Sequence, residues 1–186
     1  GLRRAQLSVH PMRLLDETDP HPKTALAFST PLELLVAPIL SAQATDVLVN
    51  KLTPALFAKY RTAADYAAAD PEQLAKDVSR INFYRTKARN IQRACAVLVE
   101  RFGGAVPKRL EDLIELPGVA RKTANVVLGS AYGITSGIVV DTHVLRVSQL
   151  LALTKQTNRD KIEHDLMALV PKERWIRFGH QLIWHG

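Results

Sequence analysis

The 186 residues fill one large domain or two small ones, at the usual span of roughly 100–200 residues each. A 47% apolar content and a mean hydropathy of -0.04 suit a chain that builds a core, which excludes wholesale disorder, and no apolar run is long enough to cross a membrane. Lys and Arg number 25 against 18 Asp and Glu, so the net charge is +7 and the balance favours a polyanionic partner, while the single Cys95 excludes an internal disulfide and a cysteine-rich metal centre within these residues.

Taken from the first residue, Gly1-Leu2-Arg3-Arg4 carries no apolar signal core, which predicts an intracellular protein. Asp16 to Lys23, with Pro20 and Pro22, reads as a connector. Thr30-Pro31-Leu32-Glu33 combines an N-cap, a proline at the first helical position and a capping-box Glu, so a helix follows through Leu34, Leu35, Val36 and Ile39. A second helix is expected from about Thr45 to Leu52, with Pro54 restarting it through Leu56, Phe57 and Tyr60. Asp70-Pro71-Glu72-Gln73 repeats the cap and proline. The clearest periodicity runs from Tyr84 through Ala88, Ile91, Cys95 and Leu98 to Phe102, with Arg85, Arg89, Gln92, Arg93 and Arg101 on other faces, and Gly103-Gly104 stops it. Cys95 lies on the apolar stripe and reads as an inert core thiol. Only Ile138-Val139-Val140 suggests a strand, and an all-α fold is the expectation.

Leu110 to Gly133 is the most informative segment. Leu110, Leu113 and Ile114 make one short apolar face, Pro117-Gly118 makes a turn, and Thr123 to Tyr132 reads as a helix ended by Gly133. The first amides of a helix lack intrahelical acceptors and sit at the positive end of its dipole, so a backbone phosphate fits there without base specificity. Taken alone, the same hairpin serves packing equally well. Arg121 and Lys122 oppose the dipole, where a purely structural turn would carry Asp or Glu. A lysine crowded by positive potential is a usable nucleophile toward a carbonyl-like carbon, although a solvated surface lysine satisfies the same residues.

Nineteen positions after Lys122, Asp141 follows an apolar run and precedes Val144, Leu145, Val147 and Leu150. It reads as an N-cap, a role compatible with stabilising a developing cation. His143 beside it reads as structural. His21, His164, His180 and His185 are scattered and make no metal-ligand spacing, so no metal is expected on the residues given.

At these residues the chain resembles the endonuclease III family of base-excision DNA repair enzymes, over nearly its whole length from about Leu14 to Gly186. Leu116 to Val127 is similar to the family's helix-hairpin-helix with its lysine, and Val140-Asp141-Thr142-His143 to its aspartate motif. Leu40-Ser41-Ala42-Gln43-Ala44-Thr45-Asp46 resembles the segment whose glutamine enters the duplex. Ile81-Asn82-Phe83-Tyr84-Arg85-Thr86-Lys87 resembles the loop whose apolar residue wedges into the stack. The resemblance implies a two-lobed helical glycosylase holding kinked, damaged double-stranded DNA in a cleft between lobes, working as a monomer. It implies one domain of six helices over 24–135 and a second over 1–23 plus 136–186. Lys122 would attack C1′, Asp141 would aid departure of the base, and β-elimination would cut the strand at oxidised pyrimidines and abasic sites. Ser41, Gln43, Asn82, Phe83, Gly118, Ala120, Arg121 and Thr123 would contact DNA. A flipped base leaves a vacancy, which the amide of Gln43 can fill while Phe83 wedges the stack.

Three departures accompany the resemblance. Asn82 stands where relatives commonly have glycine, and Asn tolerates left-handed backbone. Ala120 replaces a second hairpin glycine, adding a methyl near the phosphate. Relatives continue beyond a segment like Leu182-Ile183-Trp184-His185-Gly186 into a four-cysteine loop holding a [4Fe-4S] cluster, so the cluster is expected if the protein continues past Gly186. Adenine mismatch glycosylases usually lack the lysine at the position of Lys122, purine-oxidation glycosylases keep it, and a non-catalytic helix-hairpin-helix DNA-binding module would need neither Lys122 nor Asp141.

Overall fold

The computed structural model describes residues 26–185 of the chain, and within them ten α-helices and one 3-10 turn form with no strand. The all-α expectation holds. The Asp16–Lys23 connector and residues 1–23 lie outside the described residues. By contacts the chain divides into two compact units, whose described parts are residues 26–132 and 133–185.

The first unit carries α1 (Pro31–Ser41), α2 (Asp46–Lys59), α3 (Ala63–Ala68), α4 (Pro71–Asp77), α5 (Tyr84–Phe102), α6 (Leu110–Ile114) and α7 (Arg121–Tyr132). Thr30 caps α1 with the full capping box to Glu33, and Asp70 caps α4 through the amide of Gln73 at 2.8 Å. α5 is the spine of the unit. Its stripe of Ala88, Ile91, Cys95 and Leu98 is buried, α1, α3 and α4 pack on it, and Gly103 ends it at φ 60. The Cys95 thiol is 1% exposed and burial pushes it up to about 12, which makes it inert.

Two expectations fail here. Pro54 does not restart a helix but lies inside the unbroken α2. The missing N–H removes one hydrogen bond. Val49, Leu52, Thr53 and Leu56 are buried on the opposite side, their packing outweighs that loss, and the exposed proline ring faces solvent. Ile114 does not share the buried face of Leu113 but is 44% exposed, because α6 is little more than one turn and adjacent residues point about 100° apart.

The second unit carries α8 (Thr142–Leu150), α9 (Arg159–Leu169), the 3-10 turn Lys172–Arg174 and α10 (Trp175–His185). Its core joins Ile138, Val140, Val144, Leu153, Ile162, Leu166, Val170, Phe178 and Leu182. The Ile138-Val139-Val140 run is buried but pairs with no strand. It lies against α10 at Gly179, where an added Cβ would stand 3.5 Å from the Ile138 side chain and the Val139 amide. No helix among the described residues is long and apolar enough to cross a membrane.

Candidate active site

The hairpin between α6 and α7 is built on Gly118. Its φ of +80 suits glycine, and a Cβ there would come within 3.0 Å of Asn90 Cβ on α5, so the turn is seated directly on the spine helix. The Leu116 amide donates to Leu113 O at 3.1 Å and the Val119 amide to Leu116 O at 3.0 Å, and Leu116 and Val119 are buried. Ala120 O accepts the first intrahelical bond of α7, from the Ala124 amide at 3.0 Å. The amides of Lys122 and Thr123 precede that bond, at the positive end of the dipole. α7 begins at Arg121, so both cations lie within its first turn. Ala120 is not in the left-handed region, and its methyl brings no backbone strain.

Lys122 is exposed and makes no ion pair among the described residues. Arg121 is likewise exposed, and Thr123 half-buried. The far end of α7 is tied down by Tyr132, whose hydroxyl donates to Val106 O at 2.8 Å, with Lys108 over its ring at 5.2 Å. α7 also packs on α1, which leads into the second group of candidates.

That group lies on two loops of the first unit. Ser41 ends α1 with its hydroxyl donating to Pro38 O at 3.1 Å, leaving its lone pairs for an outside donor. Gln43 is exposed at φ 56. Phe83 is 67% exposed at φ 58 and heads α5 with no side-chain cap. The Asn82 amide donates to Gln43 O at 3.4 Å, so Ser41, Gln43, Asn82 and Phe83 come together. The left-handed residue of the wedge loop is therefore Phe83 and not Asn82. Two non-glycine residues in that region are costly, of the order of 1–3 kcal/mol each, and such strain concentrates at functional sites.

Lys87 was hidden in the sequence. It is 6% exposed, and its ammonium donates to Leu40 O at 2.8 Å and to Ala42 O. Burial pushes it below the usual lysine range, while two carbonyls at the C-terminal end of α1 offer its charge acceptors. A signal was present: Lys87 falls three residues after Tyr84 and four before Ile91, on the apolar side of α5. Asn90 beneath Gly118 left no such mark.

Asp141 belongs to the second unit, where it caps α8. Its Oδ1 accepts the Val144 amide at 2.8 Å, its carbonyl accepts the Leu145 amide at 3.0 Å, and it is half-buried. One carboxylate oxygen is thus fixed by the cap. His143 is exposed. An iron–sulfur cluster does not fit the residues present: the one cysteine is sealed in α5, and no cluster of three His, Cys, Asp or Glu side chains forms among the described residues.

Comparison with known proteins adds the context for these groups. The family described as HhH-GPD superfamily base excision DNA repair protein matches residues 36–172. Endonuclease III of Synechocystis sp. is 49% identical over 183 residues, which is 98% of this chain and 84% of that protein. Endonuclease III of Bacillus subtilis is 46% identical over 168 residues, 90% of this chain and 76% of that protein. The solved structure of a trapped endonuclease III–DNA covalent intermediate, an estranged-adenine complex, has a TM-score of 0.94 at 44% identity, covering 98% of this chain and 85% of that one.

Proposed function

The chain belongs to the HhH-GPD superfamily of base excision DNA repair proteins, within the endonuclease III group, and on that footing we propose that Lys122 is its nucleophile and Asp141 the carboxylate that assists base departure. As a member of that group it is a DNA glycosylase and AP lyase. Its substrates are oxidised, ring-saturated or fragmented pyrimidines in duplex DNA, together with abasic sites. A monomer is the form that the family resemblance implies for it.

The amine of Lys122 adds to C1′ as the bond from C1′ to the base breaks. The base leaves with the bonding electrons and is protonated, while the carboxylate of Asp141 stabilises the positive charge spread over the sugar. Opening of the sugar ring and loss of an amine proton give a protonated Schiff base between Nζ and C1′. That cation draws electrons from C2′, whose proton is lost as the 3′ phosphate departs, and hydrolysis of the imine then frees Lys122. The amides opening α7 receive a backbone phosphate and set the register of the strand. Gln43 takes the place of the flipped nucleotide, and Phe83 holds the adjacent step open.

The observation that carries the assignment is the placement of Lys122: exposed, without an ion pair among the described residues, and one residue into a helix whose turn is fixed by Gly118 on Asn90. Lys122→Ala is expected to cut an abasic duplex at least about 100-fold more slowly while binding it with near-normal affinity. Scission at the wild-type rate would reduce the chain to a DNA-binding module.

A further inference from the structure

Resting on the reading of Gln43 and Phe83 as the residues that enter the duplex, we propose that Lys87 is a positioning residue that couples their two loops, so that both are presented to DNA as one rigid unit. The connection is short and continuous. The Lys87 amide closes the first turn of α5 on Phe83 O at 3.1 Å, and its ammonium reaches Leu40 O and Ala42 O, the latter one residue before Gln43. Asn82, the residue before Phe83, donates to Gln43 O and closes the ring. The Leu40 partner lies 47 residues away in sequence, so nothing local to either loop supplies this link.

The chemistry favours lysine for the task. The last carbonyls of a helix need donors, and an ammonium has three and no acceptor. Here the Ala42 amide goes to Pro38 O and the Ala44 amide to Ser41 O, while Lys87 takes Leu40 O and Ala42 O. The end of α1 is thereby held in the course that puts Gln43 at φ 56. An apolar side chain would fill the same space without the cost of burying a cation, so packing alone does not account for lysine. Both loops carry a left-handed non-glycine residue and need outside support to stay there. A shared brace also makes the vacancy filler and the wedge act in one step, which sharpens the distinction between a lesion and intact duplex.

The test uses Lys87→Met in the whole chain, with two duplex probes, one holding a tetrahydrofuran abasic analogue and one undamaged. Expected is a loss of about tenfold or more in affinity for the analogue and less than about twofold for the undamaged duplex, while cleavage of single-stranded abasic DNA, which needs no insertion, stays at the wild-type rate. 2-Aminopurine opposite the analogue should brighten on binding of wild type and not of Lys87→Met. In a double-mutant cycle the effect should vanish in a Gln43→Ala background. Equal losses on both duplexes, slowed single-strand cleavage, or additivity with Gln43→Ala would overturn the coupling. If Gln43→Ala alone leaves lesion preference intact, the duplex-entry role fails and the coupling with it; if Gln43→Ala abolishes the preference and Lys87→Met does not, the coupling alone fails. Should Lys87→Met not fold, Lys87→Gln keeps a neutral donor for one carbonyl, and the same direction of change is required of it.

Discussion

Asp141 caps α8 and, on the proposed assignment, also stabilises the sugar cation, and substitution can separate the two. Its Oδ1 caps α8 through Val144, and an asparagine oxygen does the same. Asp141→Asn should therefore keep the melting temperature and DNA affinity close to wild type while slowing base release at least about tenfold, because the negative charge proposed to stabilise the sugar cation is gone. Asp141→Ala should slow the reaction similarly and also lose about 1 kcal/mol of stability with the cap. Thermal melts and single-turnover kinetics on the pair check this, and an active Asp141→Asn would contradict the electrostatic duty. The cap was legible in the sequence because Asp before an apolar helical pattern is a local signal. Lys87 showed only its place on the apolar side of α5, and not its role, since its carbonyls lie on a helix end that only the tertiary fold brings near.

At the level of elements, the hairpin depends on one glycine. Gly118→Ala forces an alanine into φ +80 and a Cβ against Asn90, so a loss of about 1–3 kcal/mol and a weaker hold on any duplex, damaged or not, are expected. Denaturant titration and binding to both duplexes test this, and an unchanged protein would show that the turn relaxes freely. The joint of α2 and α4 has a different dependence, on pH. Burial alone would raise Asp77, but hydrogen bonds from Lys59 at 2.6 Å, Tyr60 at 2.7 Å and Gln73 at 2.8 Å hold it below its ordinary value of 3.8. Its contribution is therefore full above that value and is lost as pH falls through the depressed one. Asp77→Asn should cost about 1–2 kcal/mol in urea melts at neutral pH, and the difference should shrink in acid. Helix starts at Thr30 and Asp70 were readable because caps and prolines are local. The passage of α2 through Pro54 was not, because buried Val49, Leu52 and Leu56 decide it.

For the molecule as a whole, a net charge of +7 sets a general attraction to polyanions and makes any duplex affinity fall with salt. Charge brings DNA to the protein without choosing a lesion. On the proposed assignment the choice rests on Gln43 and Phe83, and the reaction on Lys122. These three assignments come from motif order along the chain, because nothing local to Gln43, Phe83 or Lys122 marks a residue that meets DNA. The role of Lys122 is tested by borohydride reduction during reaction with duplex DNA containing thymine glycol or an abasic site, followed by mapping of the adduct. One covalent protein–DNA species is expected, bonded through Lys122 and absent in Lys122→Ala. An adduct of equal yield in Lys122→Ala, or one mapped to another residue, would contradict that role.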